Sequence, residues 1–382
     1  MDTKNKKLYL DYSATTPVDP QVLQAMLPYF TESFGNASSA SHVYGWDAEE
    51  AVETAREQVA ELIGAKSKQI IFTSGSTESI NIALQGVASN KGHIITCATE
   101  HNAVLRTCKT LENSGTEITL LGVNEKGNID LNELEAAIQP NTELICIMAV
   151  NNETGVIHPI KSIGEIAKKH HLPLVVDATQ AVGKIGFNIE ESGADLVALS
   201  SHKIYGPKGI GALYIAKRMT KRLKPFLSGG TQEKGLRPGT LNVPGIVGMG
   251  KACELALNSL NEEYSRVKKL QKKLEKGILA ITGSKINGYQ TDRSPYITNI
   301  VFEGVLGEKV IRKLKHIAIS QGSACTSNTV EPSHVLSAMH IPEKLALSAI
   351  RISIGKFTSA KDIDIAIQDI TDAVNALRKV NI

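Results

Sequence analysis

The chain has 382 residues, which is enough for one large and one small domain built around separate cores. Its hydrophobic content of 42% is typical of globular proteins, and its net charge of +3 is too small to indicate direct nucleic-acid binding. No apolar run approaches the roughly 18 residues of a membrane span, and the charged start predicts no signal peptide.

In chain order, strand-like and helix-like segments alternate over the first 215 residues. The strand-like runs are 69–73, 93–97, 117–121, 143–150, 173–177, 195–200 and 210–215. The helix-like segments between them are 76–89, 102–113, 130–138 and 159–171. This alternation predicts βαβ units and a mainly parallel sheet, and therefore an α/β fold.

A long, charged, helix-like stretch at about 245–279 then leads away from the predicted sheet. Beyond it, the pattern predicts strands at 297–302, 317–319 and 349–354, and helices near 306–314 and 358–378. We expect this part of the chain to form a smaller α+β unit.

The most informative segment runs from Ser200 to Gly209, with the sequence S-S-H-K-I-Y-G-P-K-G after a strand-like run. Ligands of α/β proteins bind at the carboxyl ends of strands. A desolvated lysine there, Lys203, is suited to a Schiff base with an aldehyde cofactor. The alternative is an exposed lysine in a turn, and the segment alone leaves both interpretations open.

Two further strand ends carry matching chemistry. Asp177 ends the apolar run L-V-V-D, where a carboxylate could pair with a protonated ring nitrogen of a cofactor or cap the next segment. The turn from Thr73 to Glu78, T-S-G-S-T-E, opens a helix. Its backbone N–H groups could bind an anion, or the turn could be an ordinary helix cap.

Three more polar residues each have a functional and a structural interpretation. His101 starts a helix and on sequence alone is expected to be a cap or a surface residue; its functional interpretation comes from the resemblance given below. Asn152 follows a strand, where its amide could bind a ligand or satisfy a turn. Arg351 lies on a late strand, where it could clamp a carboxylate or form a structural ion pair.

The cysteines are five in number, at positions 97, 108, 146, 253 and 325, and none forms a CxxC pair. They predict neither a disulfide framework nor a zinc site, and we expect a reducing, cytoplasmic location. Cys97 and Cys146 lie in apolar runs and are predicted to be buried. Cys325 lies among small polar residues, which is typical of a surface loop.

Taken together, these motifs resemble the cysteine desulfurases, which use pyridoxal phosphate (PLP). The shared elements are S-S-H-K with Lys203, V-D-A-T-Q with Asp177, the T-S-G-S-T-E turn, and G-S-A-C-T-S with Cys325. The last is specific to the NifS/IscS-like branch of the class V aminotransferase superfamily. The resemblance extends from D-Y-S-A-T-T-P at 11–17 to R-I-S-I-G at 351–355.

The resemblance implies fold type I of the PLP-dependent transferases. It implies a large PLP-binding domain over 15–258, with a mainly parallel sheet. A smaller α+β domain, formed by 1–14 and 259–382, would carry the catalytic cysteine loop.

The resemblance also assigns roles to single residues. Lys203 would bind PLP covalently, Lys203 and His101 would move the proton on the substrate Cα, and Cys325 would attack the substrate sulfur. Arg351 and Asn152 would bind the substrate, and Thr240 would reach the phosphate of the neighbouring subunit. The positions matching the family's cofactor-binding residues are Lys203, Asp177, Gln180, Asn152, Ser76, Thr77, Ser200, His202 and Thr240.

The implied activity converts L-cysteine to L-alanine and leaves a persulfide on Cys325. It would supply sulfur for iron–sulfur cluster assembly or for thiolation of tRNA or cofactors. The implied partners are a second copy of the chain and a sulfur-acceptor protein, either an iron–sulfur scaffold or a tRNA-thiolation enzyme. The chain ends soon after its last helix, where housekeeping members have a scaffold-docking extension, so the acceptor stays open.

Two alternatives remain at this point. An aminotransferase or lyase of the same superfamily would need Lys203 and Asp177 but not Cys325. A non-catalytic PLP-binding scaffold would not need this whole set of residues. No metal, membrane or direct nucleic-acid partner is expected.

Overall fold

The computed structural model describes residues 7–322 and 331–380. The strands are β1 (Leu8–Tyr9), β2 (Ile70–Thr73), β3 (His93–Cys97), β4 (Glu117–Leu121), β5 (Thr142–Met148), β6 (Leu174–Asp177), β7 (Leu196–Ser200), β8 (Gly211–Ile215), β9 (Ser284–Ile286), β10 (Ile297–Phe302), β11 (Ile317–Ala318) and β12 (Ile350–Ser353). The helices are α1 (Pro20–Met26), α2 (Pro28–Thr31), α3 (Val43–Ile63), α4 (Ser76–Val87), α5 (Asn102–Asn113), α6 (Leu131–Ala136), α7 (Ile160–Lys169), α8 (Ile189–Ser192), α9 (Val243–Leu279), α10 (Gly307–Lys313), α11 (His334–Ala338), α12 (Glu343–Ala346) and α13 (Ala360–Val380).

The largest sheet that the described residues form has seven strands in the order β2-β8-β7-β6-β5-β3-β4. The pairs from β7 to β4 are all parallel, and β8 runs antiparallel to both of its neighbours. β3, β6, β7 and β8 are buried along their whole length, as expected for a parallel sheet covered on both faces. This confirms the predicted α/β fold with a mainly parallel sheet.

Helices cover the two faces of this sheet. Because side chains alternate along a strand, Ile70 and Phe72 of β2 pack into one core while Ile71 packs into the other. The first core also contains residues of α3 and the start of α9, and the second contains residues of α4 and α5.

A separate core lies around β10, which pairs antiparallel with β9 and β12. The second half of α9 and the helix α13 pack on it, and β1 pairs with β11 at its edge. Residues from Val335 to Ala349 pack instead with the core of the large sheet. The division of the chain into 15–258 and the remainder stays a prediction.

The sequence analysis assigned no element before residue 69, whereas the structure has α1, α2 and α3 there. The buried face of α3 consists mainly of Ala and Val, which give a weak apolar period. Its packing against α9 forms this part of the core. No helix of the described chain is long and apolar enough to cross a membrane.

Candidate active site

A cavity of about 440 Å³ opens at the carboxyl ends of β3, β5, β6 and β7, which are neighbours in the sheet. Parallel strands bring their carboxyl ends to one edge, so residues from distant parts of the sequence meet there. The lining residues are Asp11, Ser13, Ala14, Ser76, Thr77, His101, Asn102, Met148, Val150, Asn152, Asp177, Thr179, Gln180, His202, Lys203, Ser320, Gly322 and Arg351.

Lys203 lies at the end of a single 3₁₀ turn, Ser201–Lys203, that directly follows β7. Its Nζ donates to the backbone carbonyls of Ser13, at 2.6 Å, and Ala14, at 2.8 Å. Burial, and then the charge of Arg351, lower the pKa of Lys203 to about 8. A substantial fraction of this amine is therefore neutral near pH 8 and able to act as a nucleophile.

Asp177 is the last residue of β6 and is buried at the cavity wall. Its Oδ1 accepts a hydrogen bond of 3.0 Å from the backbone N–H of Thr179. Its charge raises the pKa of Lys203 and of His101, opposing the effect of burial on both. The carboxylate is thus a fixed negative charge facing the cavity, suited to a cationic ring nitrogen.

His101 is both a helix cap and a cavity residue, so its two interpretations are compatible. Its Nδ1 accepts from the backbone N–H of Ala103 at 3.1 Å, which places the proton of the neutral ring on Nε2. Burial lowers the pKa of His101, while the charge of Asp177 opposes this shift. The ring is therefore neutral near pH 7 and presents an N–H donor.

The start of α4 forms an anion cradle, by which we mean the first-turn backbone N–H groups at Ser76 and Thr77. Both residues line the cavity, and no side chain caps the helix. Gly75, just before them, has a φ of +156°, which other residues rarely adopt. The cradle is therefore open to an anion such as phosphate.

His202 lies on the cavity wall. Its Nδ1 is 3.0 Å from Thr15 Oγ1. Burial, and then the charge of Lys203, lower the pKa of His202 to about 4, so the ring is neutral near pH 7.

Arg351 is a residue of β12, whose neighbouring residues pack in the smaller core, and its side chain lines the cavity. Its Nη2 pairs with Asp11 Oδ1 at 2.8 Å, and its Nη1 donates to the backbone carbonyl of Asn152 at 3.0 Å. The predicted structural ion pair is therefore present. Its Nε is buried without a partner in the described part of the chain, and each Nη keeps a second N–H beyond the bonds given above.

Two of the predicted site residues that the structure describes are not among the residues lining the cavity. Ser200 is buried at the end of β7, beside Gly75 of the cradle. Thr240 is exposed. It follows the segment that contains Glu233, which forms a buried ion pair with Arg56. Cys325 lies outside the residues that the structure describes.

The sequence analysis missed Asp11, Ser13 and Ala14 as site residues. The signal was present, since these small and polar residues directly follow the apolar strand β1. Glu100, next to His101, is fully buried and does not line the cavity. Burial raises the pKa of Glu100 well above its usual value.

Several buried polar atoms around the cavity have no hydrogen-bond partner within the described chain. On residues that line the cavity, they are Ser13 Oγ, Thr179 Oγ1 and Arg351 Nε. Buried polar groups are normally satisfied, so these atoms indicate a polar ligand. An amine, a carboxylate and an anion cradle around one cavity fit a phosphorylated aldehyde with a basic ring nitrogen. Among the described residues, no cluster of His, Cys, Asp or Glu could hold a metal ion.

Comparison with known proteins gives a consistent result. The family model described as "Aminotransferase class-V" matches residues 8–365. "Cysteine desulfurase IscS" of Anaeromyxobacter dehalogenans is 48% identical over 379 residues, covering 98% of this chain and 94% of the relative. A solved structure titled "NIFS-LIKE PROTEIN" has a TM-score of 0.90 and 37% identity, covering 97% and 100% of the two chains. "SspA in complex with cysteine" has a TM-score of 0.82 and 38% identity, covering 92% and 100%.

Proposed function

This chain belongs to the class V aminotransferase family and is a PLP-dependent cysteine desulfurase, and we propose that L-cysteine is desulfurated in the cavity described above. The observation that supports this location most is the convergence of Lys203, Asp177 and His101 at neighbouring strand ends. An aminotransferase would use the same three residues, so the sulfur chemistry depends on Cys325.

The residues at the cavity fit PLP. The amine of Lys203 would bond to its aldehyde carbon, Asp177 would pair with its ring nitrogen, and the anion cradle would bind its phosphate. PLP supplies an electron-withdrawing ring that stabilises negative charge on the substrate Cα. The further cofactor-binding residues that we propose are Gln180, Asn152, Ser200, His202 and, from the neighbouring subunit, Thr240.

Proton movement at the substrate Cα is assigned to Lys203, with His101 as a second acid or base. A lysine with a pKa of about 8 can both accept and return a proton near neutral pH, unlike one with the usual pKa above 10. His101 presents an Nε2–H to the cavity and can donate to the substrate. Arg351 would bind the substrate carboxylate through its free Nε.

Cys325 is assigned the sulfur-accepting step. Its thiolate attacks the sulfur of L-cysteine, so that an S–S bond forms while the Cβ–S bond breaks. The electron pair of the broken bond remains on the carbon skeleton, which takes up a proton and leaves as L-alanine. The sulfur atom stays on Cys325 as a persulfide. Atoms and electrons balance without an external oxidant or reductant.

The other cysteines are poor candidates for this step, which supports the assignment. Cys97, Cys108, Cys146 and Cys253 are all buried and none lines the cavity. Burial raises the pKa of Cys97 to about 11 and of Cys108 and Cys253 to about 12, so their thiolates are scarce at neutral pH.

The activity is tested with purified protein, PLP, L-cysteine and a thiol reductant. We expect L-alanine and sulfide in equal amounts, because the reductant releases the persulfide sulfur. With L-alanine and a 2-oxo acid in place of L-cysteine, we expect no new amino acid above a PLP-only control. Steady formation of a new amino acid in that second assay, without sulfide in the first, would support the aminotransferase alternative.

We also propose a homodimer. Four aromatic residues between positions 30 and 46 are 50% exposed or more, and the rings of two of them, Phe34 and Tyr44, lie 5.5 Å apart; the four are Phe30, Phe34, Tyr44 and Trp46. Isologous contact through these rings would bury them, and the family resemblance implies that Thr240 of each chain then reaches the partner's site.

Light scattering should therefore give the mass of two chains. The double change Phe34→Glu and Trp46→Glu should give a folded monomer that binds PLP weakly. Tyr289→Glu, at another exposed aromatic residue, should remain dimeric. A fully active wild-type monomer would contradict the proposal.

In the cell, we propose that the persulfide passes to an acceptor protein for iron–sulfur cluster assembly or for thiolation of tRNA or cofactors. A cytoplasmic location is proposed because the described cysteines are all free thiols. Incubating the persulfide form with candidate scaffold and tRNA-thiolation proteins, followed by mass measurement of each, would identify the acceptor.

A further inference from the structure

Lys184 is a buried lysine that the reaction described above does not use. It follows β6 in a turn, its side chain is 3% exposed, and it does not line the cavity. Within the described chain it forms no ion pair, and its Nζ donates to Gln180 Oε1 at 2.7 Å. Unpaired charges are rarely buried, so a lysine at this position needs an explanation.

The hydrogen bond from Lys184 is the first of a connected set that ends at the cavity. Gln180 Nε2 donates to the backbone carbonyl of Ser13 at 3.0 Å. The same carbonyl accepts from Lys203 Nζ at 2.6 Å. Lys184 and Lys203 are therefore linked through one amide and one backbone carbonyl.

This set determines which way the amide of Gln180 faces. Lys184 Nζ donates to Gln180 Oε1, and both the protonated and the neutral amine carry N–H donors for that oxygen. The NH₂ group then lies on the other side, where one hydrogen binds the carbonyl of Ser13. Since Gln180 lines the cavity, the second hydrogen is available to a ligand.

We propose that Lys184 is a positioning residue that holds the Gln180 amide with its NH₂ group towards Ser13 and the cavity, where it donates to an oxygen of bound PLP. This inference rests on the proposed function, since it concerns the cofactor site of the same cavity. Without Lys184, Gln180 Oε1 would lose its donor, and only the contact with the Ser13 carbonyl would still orient the amide. The amide would then be held less firmly, and its NH₂ group would be a weaker donor to the cofactor oxygen.

The surroundings of Lys184 are consistent with a functional position. Burial, and then the charges of Lys203 and Arg351, lower the pKa of Lys184 to about 7. The charge of Lys184 in turn contributes to the lowered pKa of His202. The pKa of Lys184 is lower in the folded protein than in the unfolded chain. At any pH below the unfolded-state pKa, the ionisation of Lys184 therefore lowers the free energy of unfolding. Replacing it by an apolar residue of similar size should therefore not lower stability at neutral pH.

The test uses Lys184→Met, Gln180→Leu and the double variant. The measurements are the dissociation constant of PLP, the absorption maximum of the bound cofactor and the melting temperature of the PLP-free protein. We expect Lys184→Met to weaken PLP binding roughly tenfold and to shift the absorption maximum, with an unchanged or higher melting temperature. In the Gln180→Leu background, Lys184→Met should change neither the affinity nor the spectrum, because Lys184 acts through Gln180.

Two further variants make the result decisive. Lys184→Gln keeps an N–H donor for the Gln180 oxygen and should bind PLP within about twofold of wild type, even if Lys184→Met fails to fold. Lys161→Met removes an exposed lysine of α7 and should match wild type in every measurement. Wild-type affinity and spectrum in Lys184→Met, or additive effects of the two single changes, would overturn the inference. Failure of the wild type to bind PLP would instead overturn the proposed function.

Discussion

Replacing Cys325 by serine should stop persulfide formation while PLP binding continues. PLP binding and proton removal at the substrate Cα depend on Lys203 and on the cavity, neither of which requires Cys325. Sulfur transfer requires a thiolate, and a serine hydroxyl is a far poorer nucleophile. We expect alanine formation to fall by roughly 10³-fold or more, the scale on which nucleophile removal acts in other enzymes.

The measurement is the intact mass of the protein after treatment with L-cysteine and gentle desalting. Wild type should gain the mass of one sulfur atom, and Cys325→Ser should gain none while still showing a spectral change with L-cysteine. Cys253→Ala is the matched control, because Cys253 is buried in α9 and its pKa is raised to about 12. Sulfur on the Cys325→Ser protein, or alanine release at the wild-type rate, would remove this residue from the mechanism.

Replacing Lys203 by alanine should abolish covalent attachment of PLP and lower alanine formation roughly 10²–10⁴-fold, the range typical of a lost acid–base group. Borohydride reduction of the wild type should fix the cofactor to Lys203, as located by peptide mapping. The matched control is Lys208→Ala, since Lys208 is exposed in the same segment. Cofactor mapped to Lys208 or to another lysine would show that the assignment is wrong.

The rate at which the PLP-free protein takes up PLP should also depend on pH in a specific way. The neutral amine of Lys203 is the reactive form, and burial lowers its pKa to about 8. The rate should therefore rise with pH through about 8 and level off above it. A lysine with its ordinary pKa of about 10.4 would still react faster at each step beyond pH 9. Stopped-flow absorbance at a series of pH values measures this profile, and a continued rise would contradict the assigned pKa.

Much of the fold and part of the site were predictable from local sequence. Apolar runs such as L-V-V-D and I-I-F-T predicted strands that the structure contains, because a fully buried strand needs continuous apolar side chains. The polar residues that follow them, including His101, Asp177 and Lys203, line one cavity. This also followed from the sequence, since parallel strands end at one edge of the sheet.

Contacts between distant segments could not be predicted in this way. The carbonyls of Ser13 and Ala14 accept from Lys203 across about 190 residues of sequence, and Asp11 pairs with Arg351 across 340. No periodicity encodes such pairs, because they depend on how the small core packs against the large sheet.

The sequence by itself therefore determined the main alternation of strands and helices after residue 69 and the chemical groups at the strand ends. These depend on side-chain periodicity and on residues adjacent in the chain. The tertiary structure alone decided the partners and burial of those groups. Burial and neighbouring charges control the pKa of Lys203 and the direction in which Gln180 faces, because both are set by atoms contributed from other segments.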